Sequence, residues 1–203
     1  MPRVLPRETD RRVTTRASRP QSRSGALVQA AVGAGFLAFC AGALSAWVVG
    51  SGVDAGLDEG LAGAMLSLGA ACGIALRLWW GFRLDSLRTA PLRMAGLTVF
   101  IGGVGFALLA IRSPVWHIGA TAIAFGAGWV WPIFTNYGVV RANKSAAAAA
   151  TGVTQMGVYI GVFIAPLVTG WIIEVAGYGA MWSVVAASAA VGAAVTIRVS
   201  PDF

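Results

Sequence analysis

Apolar positions run in six long blocks, at residues 26–50, 60–80, 94–111, 115–138, 148–173 and 180–199. Nearly all reach the roughly 20 residues a helix needs to cross a hydrocarbon layer. None alternates with the period of two that a membrane barrel requires. The pattern predicts an all-α polytopic membrane protein with six transmembrane helices and little between them. Three regions follow: a basic tail over 1–25, a six-helix domain over 26–199 and a short end over 200–203.

Composition sharpens the class. Hydrophobic residues make up 57% of the chain and charged residues only 11%, whereas soluble domains carry roughly 25% charge. A water-facing fold is therefore excluded. The 27 glycines would weaken helices in water, but small residues let membrane helices approach backbone to backbone. Gly157 and Gly161 form one GxxxG pair and Gly69 and Gly73 another, with close packing expected chiefly of the first.

Charge sets the expected orientation. The tail carries seven arginines against Glu8 and Asp10, which predicts a disordered segment lying along anionic headgroups and no nucleic-acid partner. Arg11 and Arg12 lack the hydrophobic residues that follow a twin-arginine export signal, and block 26–50 is too long for a signal core, so it reads as a retained helix. With the tail inside, every one of the fifteen basic residues except Arg112 falls on the inner side, while Asp54, Asp58, Glu59 and Glu174 fall outside. That asymmetry predicts an even number of crossings and two cytoplasmic termini. Trp79 and Trp80 fit the inner interface and Trp47, Trp116, Trp171 and Trp182 the outer one, but Trp129 and Trp131 lie mid-span and must pack between helices or line a cavity.

Polar side chains at depth mark the candidate chemistry, because lipid supplies no hydrogen-bond partners. Thr151, Gln155 and Tyr159 recur every four residues on the fifth span, roughly opposite Gly157 and Gly161. They form either an interhelical hydrogen-bond stripe or a cavity lining. Pro166 lies farther along that helix and removes an N–H from its ladder. In the fourth span, GWVWPIFTNY, the residues Phe125, Trp129, Pro132 and Asn136 share one face if the helix is continuous, and Pro132 predicts a kink that frees an upstream carbonyl. Gln29 is a further candidate near the inner end of span one. Arg77 is the one charge within a span: it snorkels, pairs with Asp85 or meets an anionic solute.

Enzymatic patterns are missing from the sequence: no Ser/His/Asp set, HExxH, CxxC, glycine-rich phosphate loop or buried carboxylate pair. Cys40 and Cys72 read as small apolar packers and His117 stands alone, so no cofactor, metal site or enzymatic activity is expected.

Two stretches resemble the major facilitator superfamily of secondary transporters. In RLWWGFRLDSLRTAPLR, Gly81 and Asp85 match the glycine and aspartate of the family's signature loop, and Arg77 matches an arginine often found four positions earlier; Ser86, Arg88, Thr89 and Ala90 depart from it. The longer stretch, from GWVWPIFTNY through VAGY, resembles the tenth and eleventh helices of bacterial members, with Gly157, Gly161, Pro166 and Gly170 in its glycine and proline pattern. The resemblance implies one six-helix, C-terminal-type half of such a bundle, in the bacterial cytoplasmic membrane, moving a small-molecule solute by alternating access. It further implies that spans one, four and five line the cavity, which puts Gln29, Asn136, Gln155 and Tyr159 near the route and makes Gly81 and Asp85 gate and turn residues. A typical member has about twelve helices, so a second six-helix half, a copy of the chain or a separate chain, is implied as partner. The alternative expectation is a membrane module that binds a partner protein without transporting.

Overall fold

The computed structural model describes residues 24–86 and 88–203, and among these all regular structure is helical. The tail expected to be disordered lies almost wholly outside the described residues, which begin one residue before its expected end. Six α-helices follow in order: α1 (Ser24–Asp54), α2 (Glu59–Gly81), α3 (Pro91–Leu109), α4 (Pro114–Gly126), α5 (Trp131–Ala142) and α6 (Ala147–Val199). The chain is a multi-pass helical membrane protein, and its described residues hold five helical stretches long and apolar enough to cross a bilayer.

Local chemistry explains where the helices begin. Asp58 caps α2, its carboxylate accepting from the N–H of Gly60 at 2.9 Å and of Leu61 at 3.3 Å, which satisfies two of the orphan donors of the first turn. Prolines open α3 and α4, where a missing N–H costs nothing. Gly56, at φ +96°, supplies the left-handed residue that turns α1 toward α2.

The fifth and sixth expected spans, 148–173 and 180–199, are the two arms of α6, whose 53 residues would span roughly 80 Å if straight, against about 30 Å of hydrocarbon. It is not straight: Gly177 has φ +77° and ψ 175°, a conformation open essentially to glycine alone, so a single residue does the work of a loop. Contacts with α1 fix the outcome. Gly157, Gly161 and Ala165 meet Ala31, Gly35 and Gly42 in ascending order, whereas Tyr178, Val185, Gly192 and Thr196 meet Gly50, Cys40, Leu37 and Gly33 in descending order. The arms on either side of Gly177 are therefore antiparallel, and both lie along α1.

The fourth block departs from the expected single span. It is not one kinked helix but two, with α4 ending at Gly126 and α5 starting at Trp131. Pro132 sits at the start of α5 rather than inside a helix. A proline cannot donate to the turn before it, so the chain leaves the helix and begins another. Phe125 and Asn136 consequently do not share a continuous face: Phe125 is buried and Asn136 exposed.

The core lies where α1, α3, α4 and the second arm of α6 meet, around Leu37, Leu44, Phe106, Phe125, Phe134 and Trp182. The rings of Phe106 and Trp182 stack in parallel with centroids 6.1 Å apart. Close packing against the first arm rests on glycine. A Cβ on Gly157 would strike the carbonyl of Ala31, one on Gly161 that of Gly35, and one on Gly35 would come within 3.1 Å of the Gly157 carbonyl oxygen. Gly69 and Gly73 use the same spacing differently, receiving the rings of Phe125 and Trp129. Gly170 faces the Trp47 ring, whose indole N–H donates to Thr169 at 2.7 Å. Cys40 packs as expected, but Cys72 is exposed on α2 and packs against nothing buried.

The described ends of the chain meet at one end of the bundle, where Ala26, Ala30, Leu92 and Val199 cluster and Phe203 packs on them. At the opposite end Arg112 bridges to Asp54 at 2.9 Å, tying the α3–α4 turn to α1.

Candidate functional site

The break between α4 and α5 leaves carbonyls without helical donors inside an apolar span, which hydrocarbon penalises heavily. Arg77 answers this. Its Nε and Nη2 both donate to the carbonyl oxygen of Trp129, at 3.0 and 2.6 Å. Its guanidinium lies 4.8 Å from the centroid of the Trp129 ring as well. One cation thus satisfies the broken backbone and stacks on the aromatic side chain of the same residue. None of the three roles expected of Arg77 included a backbone carbonyl, and Asp85 is not its partner: that carboxylate accepts from the Tyr137 hydroxyl at 2.8 Å. Of the mid-span tryptophans, Trp131 is buried and Trp129 half-buried, its ring meeting Phe125 edge to face at 5.4 Å.

The loop residues Gly81 and Asp85 join this assembly from α2 and the short 3-10 turn at Leu84–Ser86. Gly81 faces Ile133 of α5, and Asp85 is held by Tyr137, so the turn is tied to α5. Tyr137 is the residue whose role sequence reasoning missed. Its only signal was its place beside Asn136, before the basic residues Arg141 and Lys144.

The polar stripe lies apart from this latch. Thr151 and Gln155 are half-buried and Tyr159 is 71% exposed, on the face of α6 roughly opposite Gly157 and Gly161. Gln155 and Tyr159 stand roughly 12 and 18 Å along the helix from Ala147 at ~1.5 Å per residue. Gln29 is exposed near the start of α1. Among the described residues, Gln29, Asn136, Gln155 and Tyr159 make no hydrogen bond, and Asn136 and Gln155 are not brought together. Pro166 lies on the stripe's side of the same arm, within a continuous helix. The carbonyl it frees, that of Val162, lies against Gly42: a Cβ there would stand 3.5 Å from the oxygen.

Two hollows accompany these residues. An apolar groove of about 460 Å³ runs between α1 and the first arm of α6, past Val32, Phe36, Met156 and Ile160. A second, of about 610 Å³, opens beside α5 among Leu84, Ile133, Asn136, Tyr137, Arg141 and Lys144. Among the described residues no group of three or more His, Cys, Asp or Glu stands close enough to hold a metal ion. His117 is buried, with Nε2 3.2 Å from the Val48 carbonyl oxygen, and no other histidine exists to join it.

Compared with known protein families and with curated proteins, the chain matches none. The chain is a polytopic, all-α membrane protein with several long apolar helices.

Proposed function

We propose that the chain is a half-size secondary transporter that moves a small solute across the cytoplasmic membrane as a pair of six-crossing bundles. The observation that carries this reading is the stripe Thr151, Gln155 and Tyr159. Its residues stand within a membrane-length helix, on the side turned away from their own bundle, with no side-chain hydrogen bond among the described residues. Lipid would penalise an amide and a phenol at that depth, whereas a wet cavity between two bundles would not. The major facilitator resemblance supports the reading with the same residues, and the broken fourth span is the kind of helix that lines transporter cavities. Two cytoplasmic termini, inferred from the placement of basic residues, let two copies stand parallel about an axis along the membrane normal. No chemical transformation is ascribed to the chain.

Uptake or efflux of a panel of small organic solutes by vesicles containing the purified chain tests this. Transport above that of protein-free vesicles, lost in Gln155→Ala with the protein still folded and membrane-inserted, is the expected result. No transport of any solute in the panel, with intact insertion, counts against it.

The apolar groove between α1 and α6 favours a second reading, a module that seats a partner's helix without transporting. Under it, Met156→Trp abolishes association with the partner and Gln155→Ala has no effect.

A further inference from the structure

We infer that the hollow beside α5 is a binding site for the headgroup of an anionic phospholipid, independent of any transport. Its walls divide by chemistry. Arg141 and Lys144 are both exposed at its rim, and neither has a carboxylate within salt-bridge distance among the described residues. Ile133, Val140 and Leu84 form the apolar side. The Asn136 amide lies between, exposed and without a hydrogen bond.

The Asp85 carboxylate accepts the Tyr137 hydroxyl, and Tyr137 carries Arg141 over its ring at 5.9 Å. Asp85 forms no ion pair with either cation, so Arg141 and Lys144 remain available to an outside anion. A free phosphate would use the cations alone. A phospholipid uses the whole hollow: phosphate on Arg141 and Lys144, glycerol hydroxyls on Asn136, and the first methylenes of an acyl chain along Ile133 and Val140. The hollow stands where the chain passes from an apolar span to a basic turn, the level of a headgroup, and basic pockets at that level attract anionic lipid. The amphipathic lining therefore favours the lipid.

The test uses the full chain in micelles doped with phosphatidylglycerol or phosphatidylcholine, with lipid retention read by native mass spectrometry. Phosphatidylglycerol is retained and phosphatidylcholine is not. The double variant Arg141→Gln, Lys144→Gln lowers retention about twenty-five-fold, each basic side chain near an anionic surface being worth about a factor of five. Asn136→Asp, a second variant at an exposed position, lowers it too by placing a like charge beside the phosphate. Inorganic phosphate at millimolar concentration leaves the retained lipid in place. Equal retention of both lipids, or retention unchanged in both variants, overturns the site. Displacement of the lipid by inorganic phosphate overturns the lipid as occupant and assigns the pocket to a small anion.

Discussion

Replacing Arg77 with methionine keeps most of the aliphatic stem and removes the cation that closes the break between α4 and α5. Two N–H donors at 3.0 and 2.6 Å are then lost from one carbonyl, together with a guanidinium 4.8 Å from an indole ring. A hydrogen bond from a charged donor contributes about 1.5–3 kcal/mol net, and an exposed cation–π contact about 0.5–1 kcal/mol. Counted as one charged bond to one oxygen, the sum is about 2–4 kcal/mol. Because Arg77 is only half-buried and the unfolded chain in a micelle finds other partners, the expected loss lies near its lower end, roughly 2–3 kcal/mol. Arg77→Lys, with a point charge in place of a fork, forfeits about half of that. Trp129→Leu retains the carbonyl and forfeits only the ring contacts, about 1 kcal/mol. Unfolding of the purified protein by SDS titration in mixed micelles, followed by circular dichroism, ranks the three. An Arg77→Met protein within about 0.5 kcal/mol of the parent, or less damaged than Trp129→Leu, would refute the latch.

Gly157→Leu forces a branched side chain into the Ala31 backbone and should abolish a monodisperse peak in size-exclusion chromatography. Gly152→Ala on the same arm, where a Cβ meets nothing within 4 Å, should be neutral or stabilising by about 0.5–1 kcal/mol. Gly177→Ala meets no atom either, yet its backbone at φ +77° should cost about 1–3 kcal/mol, read as a lower SDS midpoint. Trp47→Phe, which loses the 2.7 Å bond to Thr169, should cost about 0.6 kcal/mol and no more than about 1.7 by the same titration.

The helices were legible because apolar blocks and turn residues agree. Expected span 60–80 and observed α2 at Glu59–Gly81 differ by one residue at each end, and the Gly157–Gly161 approach followed from small residues at the right spacing. At Gly69 and Gly73, of which close helix packing was not chiefly expected, rings fill the space, and sequence does not say whether a backbone or a ring will lie above a glycine. Pro132 correctly marked a disruption, but whether a proline bends a helix or ends it depends on what satisfies the freed carbonyls. Here that is Arg77, distant in sequence, reaching a main-chain oxygen that every residue type possesses and no motif records. The turn at Gly177 was legible as the gap between blocks 148–173 and 180–199, but its form was not: one residue at positive φ stands in place of a loop. The polar stripe was legible as a stripe, and its direction away from the bundle emerged only once Gly157 and Gly161 were seen against α1.

That direction is what pairing must explain. In a Cys72→Ser background, Tyr159→Cys places a thiol on the stripe, and Phe100→Cys places one at an exposed position of α3 as the lipid-facing control. Native membranes carrying each variant, expressed without another half-transporter and treated with a short bis-maleimide, are resolved by denaturing electrophoresis. Pairing through the stripe predicts a covalent dimer at residue 159 and monomer at residue 100. Monomer at both positions, or equal dimer at both, contradicts it.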